Sequence, residues 1–139
     1  GGVPQNIRGV YTVSMLVSAL SFVVFSLYVF LNLGENNFDN TFGGVKLIFI
    51  SYILLLICSA LWLPLVNAMV AKPSKLIWLL IRGTLLLTGI VSVVITYLLI
   101  SVGSKSPNLH FYLSVIGGFI FSVHTLVLDG LFWPSWWGD

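Results

Sequence analysis

Residues 76–102 read LIWLLIRGTLLLTGIVSVVITYLLISV, with Arg82 as the only charge. A helix of that length rises about 40 Å at 1.5 Å per residue, more than the ~30 Å hydrocarbon layer of a bilayer requires. A barrel strand would be ~10 residues long and would alternate in polarity, whereas this run is continuously apolar. It reads as a transmembrane helix. Three further runs have the same character, at residues 10–31, 45–70 and 109–132. Together they predict an all-α, integral membrane four-helix transmembrane bundle with short loops, a single domain over residues 1–139.

Composition points the same way. Charged residues make up 7% of the chain, against about 25% in an ordinary soluble domain, and the mean hydropathy is +1.07. A chain of 139 residues leaves too much surface wet to hide that apolar content in water. With Lys+Arg 6 and Asp+Glu 4, no basic face for nucleic acid can form. Cys58 is the one cysteine, so neither an internal disulfide nor a thiol-ligated metal site is expected.

The punctuation sets the topology. Residues 34–40 form a polar, turn-rich loop. The short stretch Ala71-Lys72-Pro73-Ser74-Lys75 makes the second and third helices antiparallel neighbours. Ser106-Pro107 is expected to cap the fourth helix, and Pro134 to stop it. Arg8, Lys72, Lys75 and Arg82 lie towards the end shared by the termini, while Lys46 and Lys105 lie at the other. Four against two predicts both termini on the cytoplasmic, stromal or matrix side, and an organelle membrane fits. No signal peptide is expected, because no basic region precedes the first helix and that helix is too long for an h-region.

Polar residues inside spans are the natural functional candidates, because hydrocarbon penalises them. Ser14, Ser18, Ser21, Phe25, Tyr28 and Asn32 lie on one stripe of the first helix, and Thr84, Thr88, Ser92 and Thr96 on one stripe of the third, with Gly89 beside them. The simpler reading is close helix packing; a polar path is the alternative. Pro64 should kink the second helix, leaving the carbonyl of Ala60 without its hydrogen bond.

The fourth helix carries Gly117-Gly118, Ser122, His124, Thr125 and Asp129 before Phe132-Trp133-Pro134-Ser135-Trp136-Trp137. His124 is the candidate metal-ligand contact for a tetrapyrrole, set against a histidine hydrogen-bonded to a neighbouring helix. His110 cannot join it, since fourteen residues span roughly 21 Å of helix. Trp133, Trp136 and Trp137 form an aromatic belt. With Trp62 they are the expected contacts for a lipid, porphyrin or pigment. Arg82 and Asp129 lie at similar depth near the same face and are expected to form a structural ion pair. His124 and Asp129, about 140° apart on an α-helix, are not expected to converge. No catalytic motif is present, and no enzyme is expected.

From Trp62 onward the chain resembles the tryptophan-rich sensory protein and translocator protein family. Trp62-Leu63-Pro64-Leu65 is similar to that family's Trp-Pro-Pro-apolar segment. Leu85-Leu86-Leu87-Thr88-Gly89 resembles the start of its next helix, and Phe111-Tyr112-Leu113 its Pro-Tyr-Leu opening of the last. That family has five helices, and its first has no counterpart here; one proline of the pair is also missing. The resemblance implies a cavity between helices for porphyrins, sterols or similar flat hydrophobic ligands.

Two functions of different class follow. The leading expectation is a non-enzymatic accessory or structural subunit that packs laterally in a larger membrane complex, of photosynthetic or respiratory type. Its partners would be membrane lipids and other membrane subunits. The alternative is a stand-alone binder or carrier of a flat hydrophobic ligand. A small channel or exporter is a third, and would need the Ser/Thr stripes to enclose a wet pore.

Overall fold

The computed structural model describes residues 3–32, 44–102 and 107–136. Among them the regular secondary structure is all helix, with no strand. α1 spans Arg8–Asn32, α2 Gly44–Ala71 and α3 Lys75–Val102. The fourth run begins as α4, Leu109–Val123, passes without a break into a π-helical segment, His124–Phe132, and ends on the helical turn α5, Trp133–Ser135. These four runs of 25, 28, 28 and 27 residues are each long and apolar enough to cross a membrane.

Local chemistry explains the ends. The carbonyl of Pro4 accepts the amide of Ile7 just before α1. Ser74 precedes α3, and its carbonyl takes the amide of Trp78. The cap of α4 differs from the expected Ser106-Pro107. Ser106 lies outside the described residues, and Asn108 holds the cap position, its side chain accepting the Phe111 amide at 3.0 Å. Asn is as good a cap as Ser, because its short side-chain oxygen reaches the unpaired first-turn amides. Pro134 does not end the fourth run either, which continues to Ser135. α2 runs continuously through Pro64; proline has no amide to offer the carbonyl of Ala60.

The helices pack in the order α1, α4, α3, α2. α3 is central: half of its most apolar window is buried, against 22% for α1 and α2. One core cluster joins Phe25, Tyr28 and Val29 of α1, Ile48, Tyr52 and Leu55 of α2, and Val91, Ile95 and Leu99 of α3. A second cluster, at the end bearing Arg8 and Lys75, gathers Ile81 and Leu85 around Trp133, with Tyr11, Trp62 and Met69 against them. Outside these clusters the surface is aliphatic on all sides. Leu20 of α1, Leu63 of α2, Ile90 of α3 and Phe119 of α4 are all more than half exposed. That is a far larger apolar exterior than water tolerates on a small protein.

The polar stripes face inward, as their spacing predicts. Ser18, Thr88, Ser92 and Thr96 are buried, while Val23 and Leu27 point outward. Ser92 Oγ meets Thr125 Oγ1 at 2.9 Å, and Thr96 Oγ1 meets Ser122 Oγ at 3.2 Å. These hydroxyls stitch α3 to the fourth run. Glycines set the spacing. A Cβ on Gly89 would fall 2.5 Å from Leu126 Cα, and one on Gly117 would fall 2.8 Å from the Ser21 carbonyl oxygen. Helix backbones therefore touch at both places, the arrangement small residues permit.

Candidate functional site

The site begins with a change of helical pitch. Over His124–Phe132 the fourth run is π-helical, closing i→i+5 rather than i→i+4 hydrogen bonds, a form that is rare and concentrated at functional sites. Pro134 supplies a physical reason. In an α-helix its ring would press on the carbonyl four residues back. A widened turn moves that carbonyl away, and the Trp133 amide accordingly reaches Leu128, five residues back.

The wider turn changes which side chains meet. A π turn holds more residues than the 3.6 of an α-helix, so His124 and Asp129 swing towards one face instead of standing ~140° apart. The expected divergence of the two is thus corrected: His124 Nε2 lies 3.6 Å from Asp129 Oδ2. Two α1 side chains complete the group. The Tyr11 hydroxyl donates to Asp129 Oδ1, and Ser14 Oγ lies 2.9 Å from His124 Nδ1. The Tyr11 and His124 rings are 5.6 Å apart, and Trp136 stands edge-on to Tyr11 at 6.1 Å.

This polar group forms part of the wall of a cavity of about 440 Å³. Tyr11, Met15, Ser18 and Ala19 of α1 face Ser59 and Trp62 of α2 across it. Leu85 and Thr88 of α3 and His124, Asp129 and Trp133 of the fourth run form its floor. Met15, Ala19 and Ser59 are exposed, so the mouth opens between α1 and α2. Further along those helices the gap is bridged. Tyr52 stacks on Phe22 at 5.8 Å, meets Phe30 edge-on at 5.1 Å, and hydrogen-bonds to Ser26 through its hydroxyl.

Two polar atoms of residues that line the cavity are buried and without a hydrogen-bond partner among the described residues, Trp62 Nε1 and His124 Nε2. The 3.6 Å from His124 Nε2 to Asp129 is too long for a direct bond. The histidine is only 4% exposed, and an unmet polar group at such a depth costs roughly 1–3 kcal/mol. Most buried polar groups find a partner.

The remaining candidates divide. Trp62 and Trp133 come together, edge-on at 6.1 Å, beside His124. Trp136 packs on Tyr11 and Phe132 just outside the cavity. Trp137 lies outside the described residues. The expected Arg82–Asp129 ion pair does not form. Arg82 is exposed and its guanidinium sits over the Trp78 ring at 4.8 Å. The two residues share a depth but not a face, since the inward face of α3 is Ile81, Leu85 and Thr88. His110 lines a separate depression with Tyr28 and Asn32. Among the described residues no three His, Cys, Asp or Glu side chains gather as metal ligands.

Tyr11 is the functional candidate that the sequence reading passed over. A signal was present, because it stands three residues before Ser14 and so extends the α1 stripe by one step. Compared with protein-family models, curated proteins and solved structures, the chain matches none.

Proposed function

We propose that this chain is a multi-pass integral membrane protein that binds a small or flat apolar ligand in the cavity between α1 and α2, without itself catalysing a reaction. The observation that carries this reading is the cavity itself. Its volume lies within the 300–1,000 Å³ range of small-molecule sites, and like them it combines a largely apolar wall with a few convergent polar groups. The aliphatic exterior supports bilayer residence, and an even number of spans supports a reading with both termini on one side. The weak translocator-protein resemblance implies a ligand of the same general kind.

The subunit reading has no comparable anchor, because the outer aliphatic surface suits lipid tails as well as neighbouring helices. A wet pore is less well supported. The Ser/Thr hydroxyls bond to helix carbonyls and to one another, as Thr88 does to Thr84 at 2.8 Å and Ser92 to Thr125.

The test is to purify the protein from membranes in mild detergent and identify what its organic extract contains, beside an Ala19→Phe variant that fills the mouth. Ala19 is exposed, so the larger side chain leaves the core intact. An apolar compound stoichiometric with the wild type and depleted in the variant is the expected result. Identical extracts would overturn the reading, as would migration of both proteins in one large assembly with no bound compound.

A further inference from the structure

The wall of the cavity is specific about what it leaves unmet. The indole N–H of Trp62 can only donate, and it has no acceptor among the described residues. The imidazole of His124 is held from both sides. The Ser14 hydroxyl reaches Nδ1, while the Asp129 carboxylate faces Nε2. That arrangement favours the tautomer with its proton on Nε2. Both unmet atoms are therefore donors. Three of the neighbouring hydroxyls are already engaged, Tyr11 on Asp129, Thr88 on Thr84 and Thr125 on Phe121.

A complementary guest brings acceptors and no charge. A carboxylate would be repelled by Asp129, and an amine drawn to it would face two N–H groups with nothing to give them. A ketone, aldehyde or quinone-type oxygen has lone pairs to offer such N–H groups and no proton of its own, and leaves the rest of the molecule to the apolar wall. We infer that the cavity selects apolar molecules carrying a carbonyl oxygen, received by Trp62 Nε1–H and His124 Nε2–H. This inference rests on the proposed ligand-binding function and narrows it to a chemical class.

Three probes of nearly equal size separate the cases: acetylnaphthalene with a carbonyl, the matching naphthyl ethanol with a hydroxyl, and ethylnaphthalene with neither. Binding of each to the purified full chain in detergent is measured by equilibrium dialysis. Infrared spectra follow the carbonyl stretch of the bound ketone. The ketone should bind about tenfold tighter than the hydrocarbon, as one or two net hydrogen bonds predict, and its stretch should fall below the value in empty micelles. Trp62→Phe should remove about threefold of that preference and part of the infrared shift. Circular dichroism of the variant, matching the wild type, reports that it is folded. Equal binding of ketone and hydrocarbon, with an unshifted stretch, overturns the carbonyl assignment and leaves the apolar cavity standing. Tighter binding of the alcohol also overturns it, because a hydroxyl would then be bridging Nε2 and Asp129. Binding of none of the three sinks the ligand-binding reading itself.

Discussion

His124 Nε2 and Asp129 Oδ2 stand 3.6 Å apart although five residues separate them on one helical run, and the π-helical pitch is what aligns them. The juxtaposition belongs to the backbone before it belongs to the side chains. Pro134→Ala removes the ring that would press on the carbonyl four residues back, and should let the segment return towards α-helical pitch and turn Asp129 away from His124. Helical content by circular dichroism should stay near that of the wild type while apolar-ligand binding is lost. Ligand binding that survives the substitution would show that the pitch is incidental.

Tyr11 and Asp129 form the contact that ties α1 to the π segment. Tyr11→Phe removes the only described hydroxyl donor to Oδ1 and leaves a largely buried carboxylate short of a partner, at a cost of about 1–3 kcal/mol. Asp129→Asn should lessen the effect of Tyr11→Phe, so that a double-mutant cycle in denaturant shows coupling of about 0.5–3 kcal/mol. Strict additivity would contradict the contact.

Arg82 supplies the opposite case. With its guanidinium over Trp78 and no ion pair to Asp129 among the described residues, Arg82 should not couple to Asp129. The charge-swapped pair should be additive within about 0.3–0.5 kcal/mol. A swap that restores stability would bring back the ion pair that the structure lacks.

Gly89 and Gly83 lie on the same helix and should respond differently to one methyl group. Gly89→Ala drives a Cβ to within 2.5 Å of Leu126 Cα, where a backbone has to move, and should cost about 1–3 kcal/mol. Gly83→Ala meets nothing within 4 Å and should be neutral or stabilising by up to about 1 kcal/mol, because alanine is the better helix former. Thermal unfolding in detergent checks the pair. Equal melting points for the two variants would remove the close contact between α3 and the π segment.

Most of the architecture was legible because hydrocarbon thickness and helical rise leave little choice. The four spans differ from those read off the sequence by one to three residues at most ends. The serine and threonine stripes were legible for the same reason, since a period of 3.6 assigns them a face. The site was harder. The distance between His124 and Asp129 was misjudged because that period fails over one nine-residue segment, and no residue within it announces the failure. Arg82 was misassigned because depth along a helix was weighed without its direction around the helix. Tyr11 was missed because tyrosine near a helix end reads equally well as an interfacial anchor.

Tyr52 fastens α1 to α2 at one end of their gap through Ser26, Phe22 and Phe30, and the cavity mouth lies nearer the other end. In a bilayer such a gap distinguishes the two leaflets. Under the proposed function, a guest dissolved in the leaflet beside the mouth would reach it by lateral diffusion alone, whereas one in the opposite leaflet would meet the clasped end and have to flip across first. Occupancy would then report the composition of a single leaflet.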